Sequence, residues 1–529
     1  MTKAEKVLVG GKWQPADATG TFQAVNPATG ETIGPVYPVS SRNDVDVALA
    51  AGRAAANALL DVPPEKIGEF LDRYADRIDA RSREIAEAAH LETALPLSPR
   101  LADVELPRTS NQLRQAAAAA RERSWTEPTI DTSLNIRSRY AALGGPVAVF
   151  GPNNFPLAFN GVSGGDFAAA IVAGNPVIAK AHSSHPLTSQ LLAEEAFAAV
   201  QEVELPAATV QMIYRTDHTD GTYLVSHPLI GATGYTGSRR AALALKAAAD
   251  AAGKPIYLEM SSINPVFILP GALKERSGEI AEEFQTSALM GTGQFCTNPG
   301  IVVLLEGKEA EQFIGDMRGR FEKANPTPLL GFGGLTGLGE SVEALEAAGA
   351  TLITGGSKAP GSGCRFQNTL LRTTGEAFIR DPEKLQTEAF GNSNLFVVAK
   401  DADELEKIAD SFEGNLTGCI YTDTRGGDDV LYARVEPHLR WRVGRLLNDK
   451  MPTGVAVTPA MNHGGPYPAT GHPGFTAVGI PASVRRFASL QCYDNVREPR
   501  LPAELRNRNP GGLWRRIDGA WTLDDVRVS

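Results

Sequence analysis

The chain has 529 residues, 43% of them hydrophobic, and a formal net charge of −10 at pH 7. Because this length exceeds what one hydrophobic core usually supports, two or three domains are expected. Acidic and basic residues are mixed along the chain, which argues against a surface for nucleic acid or for an anionic membrane. The chain has no apolar run of about 18 residues, and its N-terminal residues lack the apolar stretch of a secretory signal.

The four cysteines are widely spaced and form no Cys-x-x-Cys pair. This spacing argues against a disulfide framework or a structural zinc site and favours a reducing, cytoplasmic setting. No metal site is expected. Three of the cysteines, Cys364, Cys419 and Cys492, are interpreted as structural.

The first predicted elements are two helices, over residues 43–60 and 64–95. Their apolar spacing and their Ala, Glu, Leu and Arg content are typical of helices, and Asn43 is a plausible N-cap. Further along, residues 131–143 alternate weakly between apolar and polar side chains, which predicts a protruding antiparallel hairpin.

Short apolar runs then alternate with alanine-rich stretches of helical length between residues 146 and 259. Five of these runs are predicted strands: 147–150, 177–179, 210–214, 232–236 and 256–258. Such alternation predicts a parallel sheet with helical crossovers. Gly174 is expected to end the helix at 166–173. A second α/β segment is predicted after Glu259, with strands at 266–269, 301–305 and 395–398.

Cys296 lies on a loop that contains Gly291 and Gly293 and follows an amphipathic helix. The glycines are expected to end the helix and to permit backbone shapes that a β-carbon resists, so the thiol could project from a turn. The alternative is a small buried hydrophobe. A catalytic thiol reacts as the thiolate and therefore needs a base or an electropositive site.

Glu259 is the candidate base, because it ends an apolar strand at the sheet edge where parallel sheets place their ligands. A glutamate that begins a solvated loop is the alternative. Asn154 follows the strand at 147–150, where its amide could donate a hydrogen bond to a developing oxyanion. Ordinary turn chemistry is the alternative for Asn154.

Residues 234–240, Gly-Tyr-Thr-Gly-Ser-Arg-Arg, lead from a strand into a helix predicted over 241–252. Helix starts of this kind bind phosphate groups. Two arginines in the first turn oppose the helix dipole unless an anion is nearby, which favours a phosphorylated cofactor. Lys180 closes another strand and is suited to a ribose or a phosphate, with a solvated surface lysine as the alternative.

Taken in order, these segments resemble the aldehyde dehydrogenase superfamily from roughly residue 8 to residue 494. The matching motifs are the openings at 8–13 and 25–30, Asn154-Phe155-Pro156, Lys180, Tyr235-Thr236-Gly237-Ser238, Leu258-Glu259-Met260, Gly293-Gln294-Phe295-Cys296 and Glu388-Ala389-Phe390-Gly391. The resemblance implies an α/β fold with a Rossmann-type parallel-sheet cofactor domain, an α/β catalytic domain and small antiparallel bridging strands.

The domain boundaries that the resemblance implies are as follows. The cofactor-binding domain would comprise residues 1–130 and 144–259, the catalytic domain 260–475, the bridging strands 131–143 and 476–500, and a C-terminal tail 501–529. The segment 482–492 is predicted to be strand-like. Because an exposed two-stranded unit is marginal alone, a homodimer or homotetramer is expected.

The resemblance also implies roles for individual residues. Cys296 would attack the aldehyde carbon, and Asn154 and the Cys296 backbone N–H would hold the oxyanion. Glu259 would activate the water that hydrolyses the thioester. Glu388 would hold the nicotinamide ribose and Phe390 would flank the ring. The full cofactor-binding set is Lys180, Ser183, Arg215, Gly237, Ser238, Glu388 and Phe390.

Four stretches and the tail resemble one subgroup, the 2-oxoglutarate semialdehyde (2,5-dioxopentanoate) dehydrogenases and a related NADP-dependent fatty aldehyde dehydrogenase. The stretches are 151–159, 180–182, 262–267 and 463–470. This implies the oxidation of 2,5-dioxopentanoate to 2-oxoglutarate, with a fatty or aromatic aldehyde as the alternative substrate. No arginine for the substrate carboxylate is identified.

NADP is expected ahead of NAD. Ser183 stands where NAD-preferring members often carry a glutamate, so a charge that would repel a 2′-phosphate is missing. Arg215 resembles in position a phosphate-binding arginine of the fatty aldehyde relative, with a solvated arginine as the alternative. Two rival functions are weaker: Glu259 argues against a CoA-acylating enzyme, and a non-catalytic relative would be expected to lose the nucleophile or its partners.

Overall fold

The computed structural model describes residues 4–527. Their strands form three sheets of five or more strands and one two-stranded sheet, Ala18–Val25 with Thr32–Ser40. Two of the large sheets are mainly parallel and are covered by helices, which confirms the predicted α/β class. Within residues 4–527, every helix is too short or too polar to traverse a lipid bilayer.

The first sheet has a parallel centre with two antiparallel strands at one side. In spatial order its strands are Ile256–Glu259, Ala232–Thr236, Val147–Phe150, Val177–Lys180, Val210–Ile213, Val7–Val9 and Lys12–Gln14. The first five confirm the predicted strands to within a residue or so. Apolar residues of the strands and of the surrounding helices form one core. These helices are Arg42–Leu59, Pro64–Ala80, Ser82–Thr93, Leu106–Glu122, Gly165–Val172, Pro186–Glu202, His218–Ser226 and Arg239–Ala251.

The cap of the first helix differs from the prediction. Ser41, and not Asn43, is the N-cap of Arg42–Leu59. The Ser41 hydroxyl accepts from the Asn43 backbone N–H at 3.2 Å, and the Asp44 carboxylate accepts from the Ser41 N–H at 3.2 Å. This reciprocal capping box satisfies two backbone donors, whereas Asn43 in the first turn would satisfy none.

The helix predicted over 64–95 is in fact two helices, Pro64–Ala80 and Ser82–Thr93, which meet at Arg81. Arginine is a good helix former, so composition does not reveal the break. The Arg81 guanidinium pairs with Glu194 at 2.7 Å and Glu195 at 3.0 Å. Both glutamates belong to a helix more than a hundred residues further along the chain, so the contact is tertiary.

The second sheet is parallel except at one edge. In order, its strands are Thr351–Thr354, Thr369–Thr374, Ser393–Ala399, Ile301–Leu305, Val266–Ile268, Asn415–Tyr421 and Val443–Asn448. The three strands predicted for this region are confirmed. Helices cover both faces over two separate apolar clusters. These helices are Pro270–Leu289, Lys308–Lys323, Phe332–Ala347, Gly375–Arg380, Pro382–Leu385, Ala402–Ser411 and Asp429–Arg440.

The third sheet, which we call the bridging sheet, contains the predicted hairpin. In order, its strands are Ala488–Asp494, Ile136–Ala142, Thr129–Asp131, Arg515–Ile517 and Ala520–Thr522. The last two strands come from the tail, and Arg515–Ile517 runs parallel to Thr129–Asp131. The tail therefore extends this sheet rather than lying apart from it.

The strand expected over 482–492 is correct only in its second half. Residues Ala482–Arg485 form a helical turn, and the strand begins at Ala488. Val484 and Phe487 are three residues apart and both fully buried, which is a helical spacing. Packing of these two side chains in the core thus overrides the β propensity of the segment.

Candidate active site

All ten site residues predicted from the sequence line one cleft with a volume of about 1240 Å³. They are Asn154, Lys180, Ser183, Arg215, Gly237, Ser238, Glu259, Cys296, Glu388 and Phe390. Glu259 ends a strand of the first sheet, whereas Cys296 follows helix Pro270–Leu289 and a 3₁₀ turn. The cleft is therefore lined by the carboxyl ends of strands in the first sheet, where α/β folds bind ligands, and by loops that precede strands of the second sheet.

The loop before the thiol needs its glycines. Gly291 and Gly293 have positive φ angles of 56° and 70°. A β-carbon at Gly293 would also clash with the carbonyl group of Gly391. From the other side, the Asn264 amide donates to the Cys296 carbonyl oxygen at 2.9 Å. The backbone around the sulfur is thus fixed by close packing and by a partly buried hydrogen bond.

The sulfur belongs to a cluster of three reactive side chains. His463 Nε2 lies 3.6 Å from Cys296 Sγ and 3.1 Å from Glu259 Oε1. Side-chain atoms of the three residues all lie within 4.8 Å of one another. The other carboxylate oxygen, Glu259 Oε2, is buried and has no hydrogen-bond partner among residues 4–527. This buried oxygen beside the thiol is an acceptor suited to a water molecule.

Burial raises the pKa of the Cys296 thiol well above its ordinary value, and the neighbouring Glu259 carboxylate raises it further. Arg108 acts in the opposite direction. The thiol of the coenzyme-free protein is therefore protonated near neutral pH, so attack needs a nearby proton acceptor. Because His463 Nε2 can accept a proton when it is not protonated, it is placed for this task.

The sequence predicts no role for His463, although the stretch 463–470 is one of those that resemble the subgroup described above. The histidine lies 167 residues from Cys296, and only the fold brings the two together. The sequence feature that points to His463 is its position next to Gly464 and Gly465. Without β-carbons, these two residues let neighbouring backbone pack closely against this segment. At both glycines a β-carbon would clash with backbone atoms.

Asn154 is buried, and its side-chain amide donates to the Gln294 carbonyl oxygen at 3.0 Å. An amide NH₂ carries two N–H bonds, so one remains for a ligand. The backbone of this loop is held by a pair that sequence reasoning missed, Arg100 and Glu105. Arg100 donates to the Asn154 carbonyl oxygen at 3.1 Å, and Glu105 accepts two backbone N–H groups of the same loop at 2.9 and 3.0 Å.

Two charged groups in the cleft are destabilised by burial. Burial lowers the pKa of Lys180 to about 8, and the charge of Arg215 acts in the same direction. Burial raises the pKa of Glu388 to about 7, and this carboxylate accepts the Ser262 N–H at 3.2 Å. An anionic ligand beside Lys180 and hydroxyl groups beside Glu388 would stabilise both charges.

Ser238 caps helix Arg239–Ala251, with its hydroxyl accepting from the Ala241 N–H at 3.5 Å. Arg239 pairs with Glu413 at 3.0 Å. Of the two first-turn arginines, Arg239 and Arg240, the first is thus already balanced by a carboxylate. The two arginines therefore favour a bound phosphate less strongly than the sequence suggests. At Gly237, a β-carbon would lie 2.6 Å from the Tyr235 hydroxyl. This tight turn, the nearby cations and Glu388 fit the phosphates and ribose of a dinucleotide.

This fold, with a thiol, an imidazole and a carboxylate in a cleft that suits a dinucleotide, is that of an oxidoreductase. Residues 13–433 match the model of the aldehyde dehydrogenase family, and the chain belongs to that family. It is thus an oxidoreductase that acts on aldehydes with NAD(P)⁺.

Two curated relatives match nearly the whole chain. Alpha-ketoglutaric semialdehyde dehydrogenase 2 of Azospirillum brasilense is 37% identical over 515 residues, which is 95% of this chain and 97% of that protein. Alpha-ketoglutaric semialdehyde dehydrogenase of Acinetobacter baylyi is 34% identical over 529 residues, which is 98% of each. Among solved structures, PnpE in complex with nicotinamide adenine dinucleotide has a TM-score of 0.79 at 21% identity, covering 92% of this chain and 97% of that one. This likeness confirms the fold.

Proposed function

We propose that the protein oxidises 2-oxoglutarate semialdehyde (2,5-dioxopentanoate) to 2-oxoglutarate, with Cys296 as the nucleophile. The observation that carries the chemistry is the cluster of Cys296, His463 and Glu259 within 4.8 Å in a dinucleotide-sized cleft. The substrate follows from the two full-length relatives, both semialdehyde dehydrogenases.

In the first half of the reaction, His463 Nε2 accepts the thiol proton, which is then shared with Glu259 Oε1. The thiolate forms a C–S bond to the aldehyde carbon, and the second N–H of Asn154 and the Cys296 N–H stabilise the oxyanion. Bound NAD(P)⁺ supplies the acceptor for the hydride that leaves this carbon. The product on Cys296 is a thioester.

In the second half, Glu259 removes a proton from a water molecule. Its free oxygen, Oε2, is the acceptor that the structure leaves for this water. The water attacks the thioester carbon, the C–S bond breaks, and the carboxylic acid is released while the sulfur regains a proton. A metal ion held by Cys296, Glu259 and His463 would occupy the sulfur that must attack, so we propose a reaction without a metal at this cluster. Dialysis against a chelator should then leave kcat unchanged.

For the coenzyme we propose NADP⁺ ahead of NAD⁺. Lys180, Ser183 and Arg215 all line the cleft, and the charge of Arg215 acts on Lys180. Two cations and a hydroxyl suit a 2′-phosphate. Glu388 is proposed to hold the nicotinamide ribose, and Phe390 to flank the ring. Gly237 and Ser238 are proposed to meet the pyrophosphate at the helix start.

The test is a panel of steady-state rates with 2,5-dioxopentanoate, succinic semialdehyde, hexanal and benzaldehyde, each with NADP⁺ and NAD⁺. The expected result is the highest kcat/KM for 2,5-dioxopentanoate with NADP⁺. A higher kcat/KM for hexanal or benzaldehyde would contradict the proposed substrate and indicate a fatty or aromatic aldehyde instead. A rate that depends on added CoA would indicate the acylating reaction.

We further propose that the chain works in the cytoplasm as a homodimer or homotetramer, with the domain division given above. The bridging sheet supports this assembly, because within residues 4–527 its outer strand Ala488–Asp494 pairs on one side only. Leu490 on that strand is 63% exposed. An open strand edge with an apolar side chain is suited to a second copy.

A further inference from the structure

Arg108, in the first turn of helix Leu106–Glu122, carries a largely unpaired guanidinium group. Its Nε and Nη2 atoms are buried and have no hydrogen-bond partner among residues 4–527. It is the only arginine in that range with two such nitrogens. The Glu105 carboxylate, whose charge acts on Arg108, is itself paired with Arg100.

The two unpaired nitrogens form one edge of the guanidinium plane. The N–H bonds of Nε and Nη2 point in parallel and match the two oxygens of a carboxylate. Buried donors without partners cost free energy, and a ligand that pairs with them recovers it. Burial also lowers the pKa of Arg108, although nearby negative charge, first that of Glu105, acts in the opposite direction.

Arg108 packs on aromatic rings that surround the nucleophile. Its Cζ atom lies 5.8 Å from the centre of the Phe155 ring and 5.4 Å from that of Phe159. The Phe159 ring is in turn 5.7 Å from the His463 ring. Arg108 is not among the described residues that line the coenzyme cleft. The free edge therefore belongs to another side of the reactive cluster.

Two other arginines near the cluster are already engaged. Arg100 pairs with Glu105 in the interior. Arg445 donates to the carbonyl oxygens of Pro452 at 2.8 Å and Gly454 at 3.1 Å. Of these three arginines, Arg108 alone has two buried nitrogens without a hydrogen-bond partner in residues 4–527.

We propose that Arg108 binds the carboxylate at the far end of the substrate, side-on, and so selects ω-aldehyde acids over neutral aldehydes. This inference rests on the proposed function, because a carboxylate-bearing aldehyde must be the substrate. The paired carboxylate would fix one end of the short chain while the aldehyde carbon lies at Cys296 Sγ. Arg108 is then a substrate-binding residue that sets specificity.

The test compares Arg108→Met and Arg108→Lys with a matched control, Arg114→Met, on the same helix. Arg114 is partly exposed and pairs with Asp76 and Asp79, each at 2.7 Å. The quantity measured is the ratio of kcat/KM for 2,5-dioxopentanoate to kcat/KM for hexanal. Arg108→Met should lower this ratio by about 10- to 150-fold, the range for a hydrogen bond to a charged group. Arg108→Lys should lower it less, and Arg114→Met should not change it.

A second measurement does not depend on the identity of the aldehyde. Glutarate, a five-carbon dicarboxylate, should protect Cys296 of the wild-type protein from iodoacetamide, and Arg108→Met should abolish this protection. Absence of protection in the wild type, or an unchanged ratio in Arg108→Met, would overturn the role of Arg108. If the wild type prefers hexanal but glutarate protects through Arg108, the anion site stands and the proposed substrate fails.

Discussion

At the scale of single residues, the two oxygens of Glu259 have different surroundings. Oε1 lies 3.1 Å from His463 Nε2, whereas Oε2 is buried without a partner in residues 4–527. One carboxylate can therefore support the activation of the thiol and, later, the activation of water. These two roles can be separated kinetically.

Glu259→Gln should separate them. The amide keeps the shape but cannot accept a proton, so hydrolysis of the thioester should slow, lowering the steady-state rate by about 100-fold or more. The first turnover should persist as a burst of about one NAD(P)H per active site, measured by stopped-flow absorbance. A variant with no burst and an equally slow first turnover would show that Glu259 acts mainly before hydride loss, through His463.

The raised pKa of Cys296 predicts a pH dependence. Below this pKa the thiolate fraction increases tenfold for each pH unit, so inactivation of the coenzyme-free protein by iodoacetamide should accelerate about tenfold per unit from pH 7 to 8. The inactivation rate is measured as the loss of enzyme activity with time. Mass spectrometry identifies the alkylated residue, and the Cys296→Ser variant, which lacks this thiol, is the control. A rate that is flat across this range would mean that the thiol is already ionised, contrary to the effect of its burial.

At the scale of elements, the loop between helix Pro270–Leu289 and Cys296 has no room for side chains. Gly293→Ala should displace the thiol, because the added carbon meets Gly391 and the φ angle of 70° suits glycine. A fall in kcat of at least about 100-fold is expected, as for other misplaced catalytic groups. Gly315→Ala, in helix Lys308–Lys323 with open space around it, is the matched control and should retain full activity. Equal rates for the two variants would contradict the close packing of the loop.

Much of this site was predictable because it uses local signals. Glu259 and Lys180 each close a strand, and Gly291 and Gly293 mark the turn before the thiol, so short stretches of sequence suffice. His463, Arg100 and Arg108 were not predictable in this way. His463 and Arg100 act through contacts with residues more than fifty positions away in the chain. Arg108 is identified by its lack of a hydrogen-bond partner in residues 4–527. Neither property is visible in a sequence pattern.

The errors in the elements have the same origin. The helix break falls at Arg81, whose side chain forms ion pairs with a distant helix. The helical turn at Ala482–Arg485 depends on burial of Val484 and Phe487. In both segments local propensity is overridden by tertiary contacts, which single-sequence patterns do not contain.

At the scale of the whole molecule, the bridging sheet leads to a prediction about assembly. Leu490→Asp places a charge on the exposed face of its outer strand and should shift the protein to a smaller species, because a buried unpaired charge disfavours an interface. Light scattering coupled to size exclusion measures the mass. Val430→Asp is the control, since Val430 is 76% exposed on a helix outside this sheet and should leave the mass unchanged. A Leu490→Asp protein with the wild-type mass would place the interface elsewhere.

The contact between Gly293 and Gly391 joins the thiol loop directly to the segment that carries Glu388 and Phe390. By contrast, Lys180 closes a strand of the other parallel sheet. The two ends of the coenzyme cleft thus differ in what a redesign of coenzyme preference would disturb. Changes at the Lys180 end leave the thiol loop itself untouched, whereas any library that varies the neighbourhood of Gly391 also samples the alignment of the sulfur.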